Sequence, residues 1–429
     1  MAKKDKKKPL STKNIKRIAH LDIPGGGQVE VHGKYCYVGH MDPPHGTSII
    51  DISNPKKPKV VATLTTPPNS HSHKVRVIGD LMYTNVEMFN RHRRRLGEQK
   101  IPGIVRAFKK KHGREPKNGE LAKELGVDKN LIPDILGYMK TGYDGGGWRV
   151  FDIKDKTNPK ELAYVKTHGF GTHRFHCDEK YAYISTEMEG YLGNILVVYD
   201  MKNPAKPKEV SRWWMPGQHI AGGEKPTWKG YNNRLHHAMR VGDELWAAVW
   251  HGGFQVLDAK NIKNIKTIGA INYHPPAPMT SHTIMPLEKK INGRRIAVGI
   301  DEEHTHHVGQ PHACMWVFDV TDLKNIQTLS SYHVSELDSP WSRLGRFGAH
   351  QYREKLNSTL VYNAWFSGGL RIVDVADPHL PKEVGYFIPE PVNGHKSPQS
   401  NDVDVVDKNG LVYLLDRLTG LDILEFNGA

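Results

Sequence analysis

The chain lacks the features that mark membrane, disulfide-rich and secreted proteins. None of its apolar runs approaches the ~20 residues that a bilayer-spanning helix requires, although 38% of its 429 residues are hydrophobic. Its three cysteines, Cys36, Cys177 and Cys314, are too few for a disulfide framework. Its first residues are rich in lysine and lack the apolar core of a secretory signal. We therefore expect a reduced, cytoplasmic, globular protein with no membrane span.

The net charge of +14 is concentrated in two segments. Residues 1–17 contain eight lysines and arginines against one aspartate, and residues 88–140 contain fourteen against six acidic residues. The rest of the chain is close to neutral. Charge runs of this kind are more typical of solvated segments than of surfaces that read nucleic acid. We interpret residues 1–13 as a basic disordered tail, and we do not expect nucleic acid to be the main partner.

One short pattern recurs seven times: a β-branched run that ends in an acidic residue, followed by a turn that often contains Asn-Pro or Asp-Pro. The copies occupy residues 48–51, 149–152, 197–200, 255–258, 316–319, 371–374 and 422–425. Six copies are followed by a further strand, but the chain stops at Ala429 before the seventh could have one. The segment 14–22 has the form of the missing strand. A ring closed by the N-terminal strand is therefore predicted.

These repeats predict an all-β fold over residues 14–429, a seven-bladed β-propeller closed by its N-terminal strand. Sheets of four short strands that recur at roughly 40 to 50 residues stack radially, because no single sheet can bury both of its faces. The repeat resembles that of the LVIVD-repeat propellers. The resemblance covers nearly the whole chain outside one insertion.

Alignment of the blades on the turn after the first strand places one residue of each blade at the head of the innermost strand. These seven residues are Gly27, His73, His173, His236, His282, His350 and Asn401. Histidine makes up only 25 of 429 residues, so five at one position require a cause. Equivalent positions of a propeller converge on its axis, and a transition metal that accepts neutral imidazole explains the convergence. We predict that four of the five bind a metal. Which of the five is not a ligand is open, and His237 is the alternative to His236 in its blade.

Acidic residues end the second strands near the same face of the propeller. We predict that they accept the N–H of metal-bound imidazoles, with surface carboxylates on connecting loops as the alternative. They are Glu87, Glu187, Asp301, Glu302 and Asp416. Nearby histidines that we interpret as solvated loop residues, with a second site or proton relay as the alternative, are His71, His176, His251, His304, His306 and His307. Aromatic residues that either roof the channel or pack between blades are Trp213, Trp214, Trp228, Tyr231, Trp250, Trp341, Phe347, Trp365 and Phe366.

Imidazole ligands alone, with neither a thiolate nor a carboxylate bound directly to the metal, favour Fe(II) over copper, and either of these over zinc. The histidine ring is similar to that of the carotenoid cleavage oxygenases, seven-bladed propellers with Fe(II) on four histidines, and to that of the selenium-binding protein and methanethiol oxidase group. This resemblance implies an oxidoreductase, an oxygenase or oxidase, that uses dioxygen on a small organic substrate, aromatic or sulfur-containing. The reactive-cysteine segment of the methanethiol oxidase group has no match here, and the catalytic residues and substrate stay unidentified.

Residues 88–143 interrupt blade two with a composition typical of helices. Leu121, Leu125, Ile132 and Leu136 keep a helical spacing, which predicts two or three short helices. The segment 113–126 looks like the helix-turn-helix of bacterial regulators, and the cluster 91–95 is basic. We favour a helical lid, or a homo-oligomer contact, over DNA binding. Two other functions stay open: a redox-neutral metal-dependent lyase or hydrolase, and a non-catalytic propeller that binds protein or nucleic acid through the insertion.

Overall fold

Seven antiparallel sheets form a closed ring in the computed structural model, which describes residues 8–228, 232–305 and 308–428. The predicted seven-bladed β-propeller is therefore confirmed. Each sheet is one blade, and its strands run in chain order from the axis outward, except that segments near the N-terminus form the outer edges of the last two blades. All seven acidic-ended runs lie in the third strands of the blades, as the repeat predicts.

The strands follow one another blade by blade after a short N-terminal segment. That segment contains β1 Leu10–Ser11 and β2 Ile15–Pro24. Blades one to three consist of β3 Gly26–His32, β4 Tyr35–His40, β5 His45–Asp51 and β6 Lys59–Thr65; β7 Ser70–His71, β8 Val75–Ile78, β9 Leu81–Met88, β10 Gly147–Asp152 and β11 Lys160–Lys166; and β12 Thr172–Cys177, β13 Tyr181–Glu187, β14 Asn194–Asp200 and β15 Lys208–Trp213.

The remaining blades repeat the same arrangement. Blades four and five consist of β16 His237–Val241, β17 Glu244–Ala248, β18 Phe254–Asp258 and β19 Lys266–Ile271; and β20 Thr280–Pro286, β21 Ile296–Glu302, β22 Met315–Asp319 and β23 Gln327–Tyr332. Blades six and seven contain β24 Gln351–Tyr352, β25 Leu360–Trp365, β26 Gly369–Asp374 and β27 Lys382–Ile388; and β28 Ser400–Val406, β29 Leu411–Asp416 and β30 Thr419–Phe426.

The two ends of the chain close the ring together. Strand β2 pairs antiparallel with β30, beginning at Ile15 opposite Phe426, and so completes blade seven as predicted. Leu10 and Ser11, which we had placed in the disordered tail, pair with Ile388 and Phe387 at the outer edge of blade six. Regular structure therefore begins before the predicted boundary at residue 14. Residues 1–7 of the predicted tail lie outside the described part of the chain.

Seven hydrophobic clusters fill the spaces between neighbouring blades, and each is built from two adjacent blades. Between blades one and two, for example, Tyr37 and Ile49 pack against Val75 and Phe151. Between blades seven and one, the cluster includes Ile23 of the closing strand. Every blade thus buries its two faces against its neighbours, which is why the sheets must form a complete circle.

Side chains also join the innermost strands to one another. The side-chain oxygens Gln28 Oε1 and Asp402 Oδ2 accept the backbone N–H groups of Val75 at 3.1 Å and Val29 at 3.0 Å. These partners satisfy backbone N–H groups that are buried beside the axis. These bonds hold the innermost strands at a fixed spacing, and so fix the residue at the head of each.

The insertion occupies residues 89–146, between β9 and β10, and is helical as predicted. It contains α1 Arg91–His112, α2 Asn118–Leu125, a 3₁₀ turn and α3 Ile132–Lys140, so α1 is longer than the short helices expected. The helices enclose a hydrophobic cluster of their own around Ile101, Leu121 and Ile132. Of the helices in the described segments, none has the length and hydropathy needed to cross a membrane.

Candidate metal centre

The five predicted histidines lie side by side around the axis. Successive ring centroids from His73 through His173, His236 and His282 to His350 are 5.3, 5.0, 3.8 and 4.5 Å apart. Gly27 and Asn401 complete the circle, with Asn401 Nδ2 donating to the Gly27 carbonyl at 2.8 Å. A Cβ on Gly27 would come within 2.7 Å of the His73 carbonyl oxygen, so only glycine fits beside that histidine. The structure therefore brings all seven aligned residues together.

Three of the histidines have Nδ1 occupied by a hydrogen bond to the scaffold. His236 Nδ1 donates to the carbonyl of His282 at 2.7 Å, and His350 Nδ1 donates to the carbonyl of Asn401. His282 Nδ1 lies 3.0 Å from Thr283 Oγ1. Thr283 already donates its own proton to Gln351 Oε1 at 2.7 Å, so its oxygen must accept from the imidazole.

These bonds determine which nitrogen of each ring is free to bind a ligand. A neutral imidazole that carries its proton on Nδ1 presents a lone pair on Nε2. Burial lowers the pKa of His236, His282 and His350 well below the usual range, so the rings are neutral. Anchoring of Nδ1 by a carbonyl or hydroxyl is the arrangement that orients metal-bound histidines.

Glu302 lies among these lone pairs. One donor atom each from His236, His282 and Glu302 lies within 4.8 Å of the others. His282 Nε2 is buried without a hydrogen-bond partner, 3.9 Å from Glu302 Oε2, and His350 Nε2 is 3.7 Å from Glu302 Oε1. Ligands about 2.1 Å from one ion lie roughly 3 to 3.5 Å apart. The spacing and the orphaned nitrogen therefore fit a bound metal ion.

Glu302 supplies a negative charge at this point. Burial raises the pKa of its carboxyl group, but nearby positive charges, among them the guanidinium groups of Arg346 and Arg417, outweigh burial and hold the pKa well below its usual range. His304 Nε2 is 3.4 Å from the carboxylate. Two histidines and one carboxylate form the ligand set typical of non-haem Fe(II).

Glu87 is the carboxylate of the opposite side of the ring, and it is fully partnered. Its Oε1 accepts from Arg91 Nε at 2.8 Å. Its Oε2 accepts from His71 Nε2 at 3.1 Å and from His173 Nδ1 at 3.0 Å. Arg91 Nη2 also lies 3.2 Å from His173 Nδ1, so this nitrogen contacts a carboxylate and a guanidinium at once. The contact with Glu87 is the imidazole–carboxylate pairing that the sequence predicts for it. Burial lowers the pKa of His173 to about 3.

His73 differs from the other four histidines. Asn85 Nδ2 donates to His73 Nδ1 at 3.2 Å, and Asn85 Oδ1 accepts the backbone N–H of Lys74 at 2.8 Å, which settles the orientation of the amide. His73 therefore carries its proton on Nε2 and has no lone pair there to offer a metal. It stacks on His71, with ring centroids 4.2 Å apart. One donor atom each from His71, His73 and Glu87 also lies within 4.8 Å of the others.

The other predicted carboxylates bond elsewhere. Asp301 accepts from Tyr273 Oη at 2.5 Å and Trp316 Nε1 at 2.7 Å, and burial raises its pKa to about 8. Asp416 accepts the backbone N–H groups of Gln399 and Leu418 at 2.6 and 2.8 Å. These bonds serve the fold of blades five and seven. Of the five predicted carboxylates, Glu87 and Glu302 are the two whose ion pairs reach ring histidines.

The nearby histidines divide into separate groups. His71 and His304 contact Glu87 and Glu302 and belong to the centre. His237 does not replace His236, because its Nδ1 accepts from Arg174 Nε at 3.2 Å. His176 stacks against Tyr183, and His251 contacts His274. His306 and His307 lie outside the described residues.

Two of the nine predicted aromatic residues stand beside the centre. Trp250 contacts His304 at 4.9 Å between centroids, and Phe366 contacts His350 at 5.0 Å. Trp213, Phe347 and Trp365 instead pack in the clusters between blades. Trp341 is buried, Trp214 contacts Tyr191, and Trp228 packs near Gly217. Tyr231 lies outside the described part of the chain.

Arginines at the channel mouth were missed as site residues. Arg91 in the first turn of α1 pairs with Glu87. Arg346 Nη1 is 3.7 Å from Glu302, and Arg417 Nη1 donates to Asn401 Oδ1 at 3.1 Å. Beside them Glu187 accepts from Arg95 and from the backbone of Phe170. Arg417 directly follows Asp416 at the end of a second strand, which is the one sequence signal that could have indicated it.

A family model of the LVIVD repeat matches residues 26–66 and 360–388. These two segments are similar to the LVIVD repeat. The first match spans the four strands of blade one, and the second spans β25, β26 and β27 of blade six. The match confirms the predicted resemblance for parts of blades one and six. The likeness to carotenoid cleavage oxygenases and selenium-binding proteins stays a prediction from the histidine pattern, because these comparisons do not show it. No curated protein matches the chain.

Several solved structures share the fold. The C-terminal WD40 domain of Sif2 is 10% identical, with a TM-score of 0.55 over 97% of this chain and 99% of that one. A chain of the mitotic checkpoint complex is 8% identical, with a TM-score of 0.55 over 96% and 95%. Raptor of Chaetomium thermophilum is 10% identical, with a TM-score of 0.54 over 96% of this chain and 29% of that one. At such identities the likeness shows the propeller fold alone.

Proposed function

We propose that this protein is a metal-dependent oxidoreductase with one transition-metal ion, Fe(II) or copper, at the mouth of the propeller channel. The ion is held by His236, His282 and Glu302, with His173 and His350 as flanking donors. His73 is not a ligand. The observation that carries the proposal is the buried Nε2 of His282, which has no hydrogen-bond partner and lies beside an ionised carboxylate.

The chemistry of the donors supports iron or copper. Imidazole suits both metals, and a single carboxylate beside two histidines favours Fe(II). Structural zinc sites are closed and usually contain thiolate, whereas Cys36, Cys177 and Cys314 are buried in the blades. Bound there, such an ion supplies one-electron and dioxygen chemistry. An oxygenase or oxidase reaction on a small organic substrate follows from that capacity.

The residues around the ion have separate tasks in this proposal. Thr283 and the carbonyls of His282 and Asn401 fix the proton of each imidazole on Nδ1. Glu302 provides the charge that offsets a divalent ion in a buried site. Arg91 connects α1 to Glu87 and hence to His173, so that the helical insertion covers the centre on the side of blades two and three.

Metal content of variants tests the proposal. Protein purified without a metal-affinity tag is analysed for iron, copper and zinc as wild type, His282→Ala and His73→Ala. We expect about one iron or copper per chain in wild type and in His73→Ala, and none in His282→Ala. His73→Ala is the matched control because it removes a neighbouring imidazole from the same ring. Anaerobic nitric oxide should give the wild-type Fe(II) protein a ferrous nitrosyl EPR signal, which requires an open position.

Two results would contradict the proposal. Protein that refuses iron, copper and zinc would show that the ring is not a ligand set. Equal metal loss in His282→Ala and His73→Ala, with unchanged circular dichroism, would refute the claim that His282 is a ligand and His73 is not. The redox-neutral lyase or hydrolase is distinguished by zinc substitution, which abolishes dioxygen-dependent turnover but not hydrolytic turnover.

A further inference from the structure

Two arginines at the channel mouth have hydrogen-bond donors to spare. A guanidinium carries five N–H donors. Arg417 donates one of them to Asn401 Oδ1 at 3.1 Å. Arg346 donates to the Glu303 carbonyl at 3.4 Å, forms a longer ion pair with Glu302 at 3.7 Å, and lies over the Phe366 ring at 4.1 Å. Both side chains are partly exposed, so their remaining donors are open to a ligand.

The two guanidinium groups also repel each other. Burial, followed by the charge of Arg346, lowers the pKa of Arg417 to about 9, although Glu302 and Asp42 act in the opposite direction. Gln399 places the two residues side by side, because its Nε2 donates to the Arg346 carbonyl at 3.1 Å and its own carbonyl accepts the Arg417 backbone N–H at 2.8 Å. Two cations held together in a partly dehydrated mouth are stabilised by an anion that bridges them.

An apolar cleft of about 450 Å³ opens beside the metal centre. Trp250, Pro278, Met279 and Pro311 line it together with Glu302 and His304. Trp250 adopts a φ of 40°, which is uncommon for a bulky residue and is held in place by the bond from the Ser281 N–H to its carbonyl at 3.2 Å. Glu302 lines the cleft and lies beside the ring, and Arg346 Nη1 is 3.7 Å from Glu302, so the cleft ends next to the proposed metal and to this arginine.

We propose that this mouth binds an organic carboxylate, whose charged group is held by Arg346 and Arg417 and whose apolar body fills the cleft beside Trp250. Guanidinium groups bind carboxylates through paired hydrogen bonds. Apolar walls with a few convergent polar groups are typical of small-molecule sites. Only the naming of this ligand as the substrate rests on the proposed function; its binding requires the arginines and the cleft.

Calorimetric titration with 2-naphthoate and its neutral isostere 2-naphthamide tests the inference. Metal-free and Fe(II)-loaded protein are both titrated, and inorganic phosphate serves as an anion without an apolar body. We expect naphthoate to bind more tightly than naphthamide and phosphate in both forms. Arg346→Gln and Arg417→Gln should each weaken naphthoate binding roughly tenfold to a hundredfold. Arg343→Gln is the matched control, since that side chain is 71% exposed and should bind as wild type does.

Each outcome decides the matter. Naphthamide binding as tightly as naphthoate, or unchanged affinity in both arginine variants, would overturn the inference. Phosphate binding as tightly as naphthoate would show that the cleft contributes nothing, and would overturn it too. Naphthoate binding that persists in protein unable to take up metal would refute only the proposed function. Metal uptake without naphthoate binding would refute only the carboxylate site.

Discussion

At the residue scale, the account depends on which imidazole nitrogen carries the proton. The hydroxyl of Thr283 accepts from His282 Nδ1 and donates to Gln351. Thr283→Val keeps the shape of the side chain but removes this acceptor, so His282 loses the bond that fixes its tautomer. We predict that metal affinity falls roughly tenfold to a hundredfold. Competition with a chromophoric chelator measures it, and Thr283→Ser, which keeps the hydroxyl, should bind as wild type does.

A second residue-scale prediction concerns acid stability away from the centre. Burial lowers the pKa of His40 to about 4, although it donates to the Pro24 carbonyl at 2.9 Å. The pKa of His40 in the folded protein lies below the ordinary value of about 6.5. Neutral His40 therefore contributes fully to the free energy of unfolding above pH 6.5, and this contribution is lost as the pH falls toward 4. Between pH 7.5 and 5 this amounts to about 2 kcal/mol. Urea unfolding at the two pH values measures this loss of unfolding free energy, which should be smaller by that amount in His40→Asn than in wild type. Equal losses in the two proteins would refute the role of His40 in acid stability.

At the element scale, the closing strand seals the ring. β2 covers the edge of β30 and contributes Ile15 and Ile23 to two inter-blade clusters. Deletion of residues 1–24 should cost several kcal/mol of unfolding free energy and expose an edge that promotes association. Thermal unfolding and gel filtration measure both effects. Deletion of residues 1–9 should leave both unchanged, and equal behaviour of the two truncations would contradict the role of β2.

The helical insertion is the second element with a testable role. It has its own hydrophobic cluster, and β9 pairs with β10 directly. We therefore predict that replacement of residues 91–140 by a Gly-Ser linker leaves the propeller folded and able to bind metal. A chelator should remove the metal several-fold faster, because Arg91 no longer holds Glu87 and His173. Lys110→Ala, at the far end of α1, is the control. Metal release at the wild-type rate would show that the insertion is not a lid.

At the scale of the whole molecule, the fold could be predicted from the repeats, because each blade repeats the same strand order and turn. The head of each innermost strand could be aligned for the same reason. Contacts between loops do not repeat from blade to blade, so they could not be aligned in the same way. Arg346 precedes blade six and Arg417 follows the second strand of blade seven, so the packing of two consecutive blades brings them near each other, and no spacing in the chain indicates it.

Local competition for hydrogen bonds decided the rest of the site. Asp301 and Glu302 are adjacent, yet Asp301 bonds Tyr273 and Trp316 while Glu302 lies among the histidines. Alternation along β21 sends neighbouring side chains to opposite faces, but the register of the strand was needed to say which faces the axis. The separation of His73 from the other histidines likewise depends on the amide of Asn85, which the sequence pattern does not mark.

Anomalous diffraction at the iron edge, from crystals grown anaerobically with Fe(II), tests the central claim most directly. We predict one strong peak about 2.0 to 2.3 Å from Nε2 of His236 and His282 and from the carboxylate of Glu302. A peak between His71, His73 and Glu87 instead, or no peak along the channel, would contradict the account.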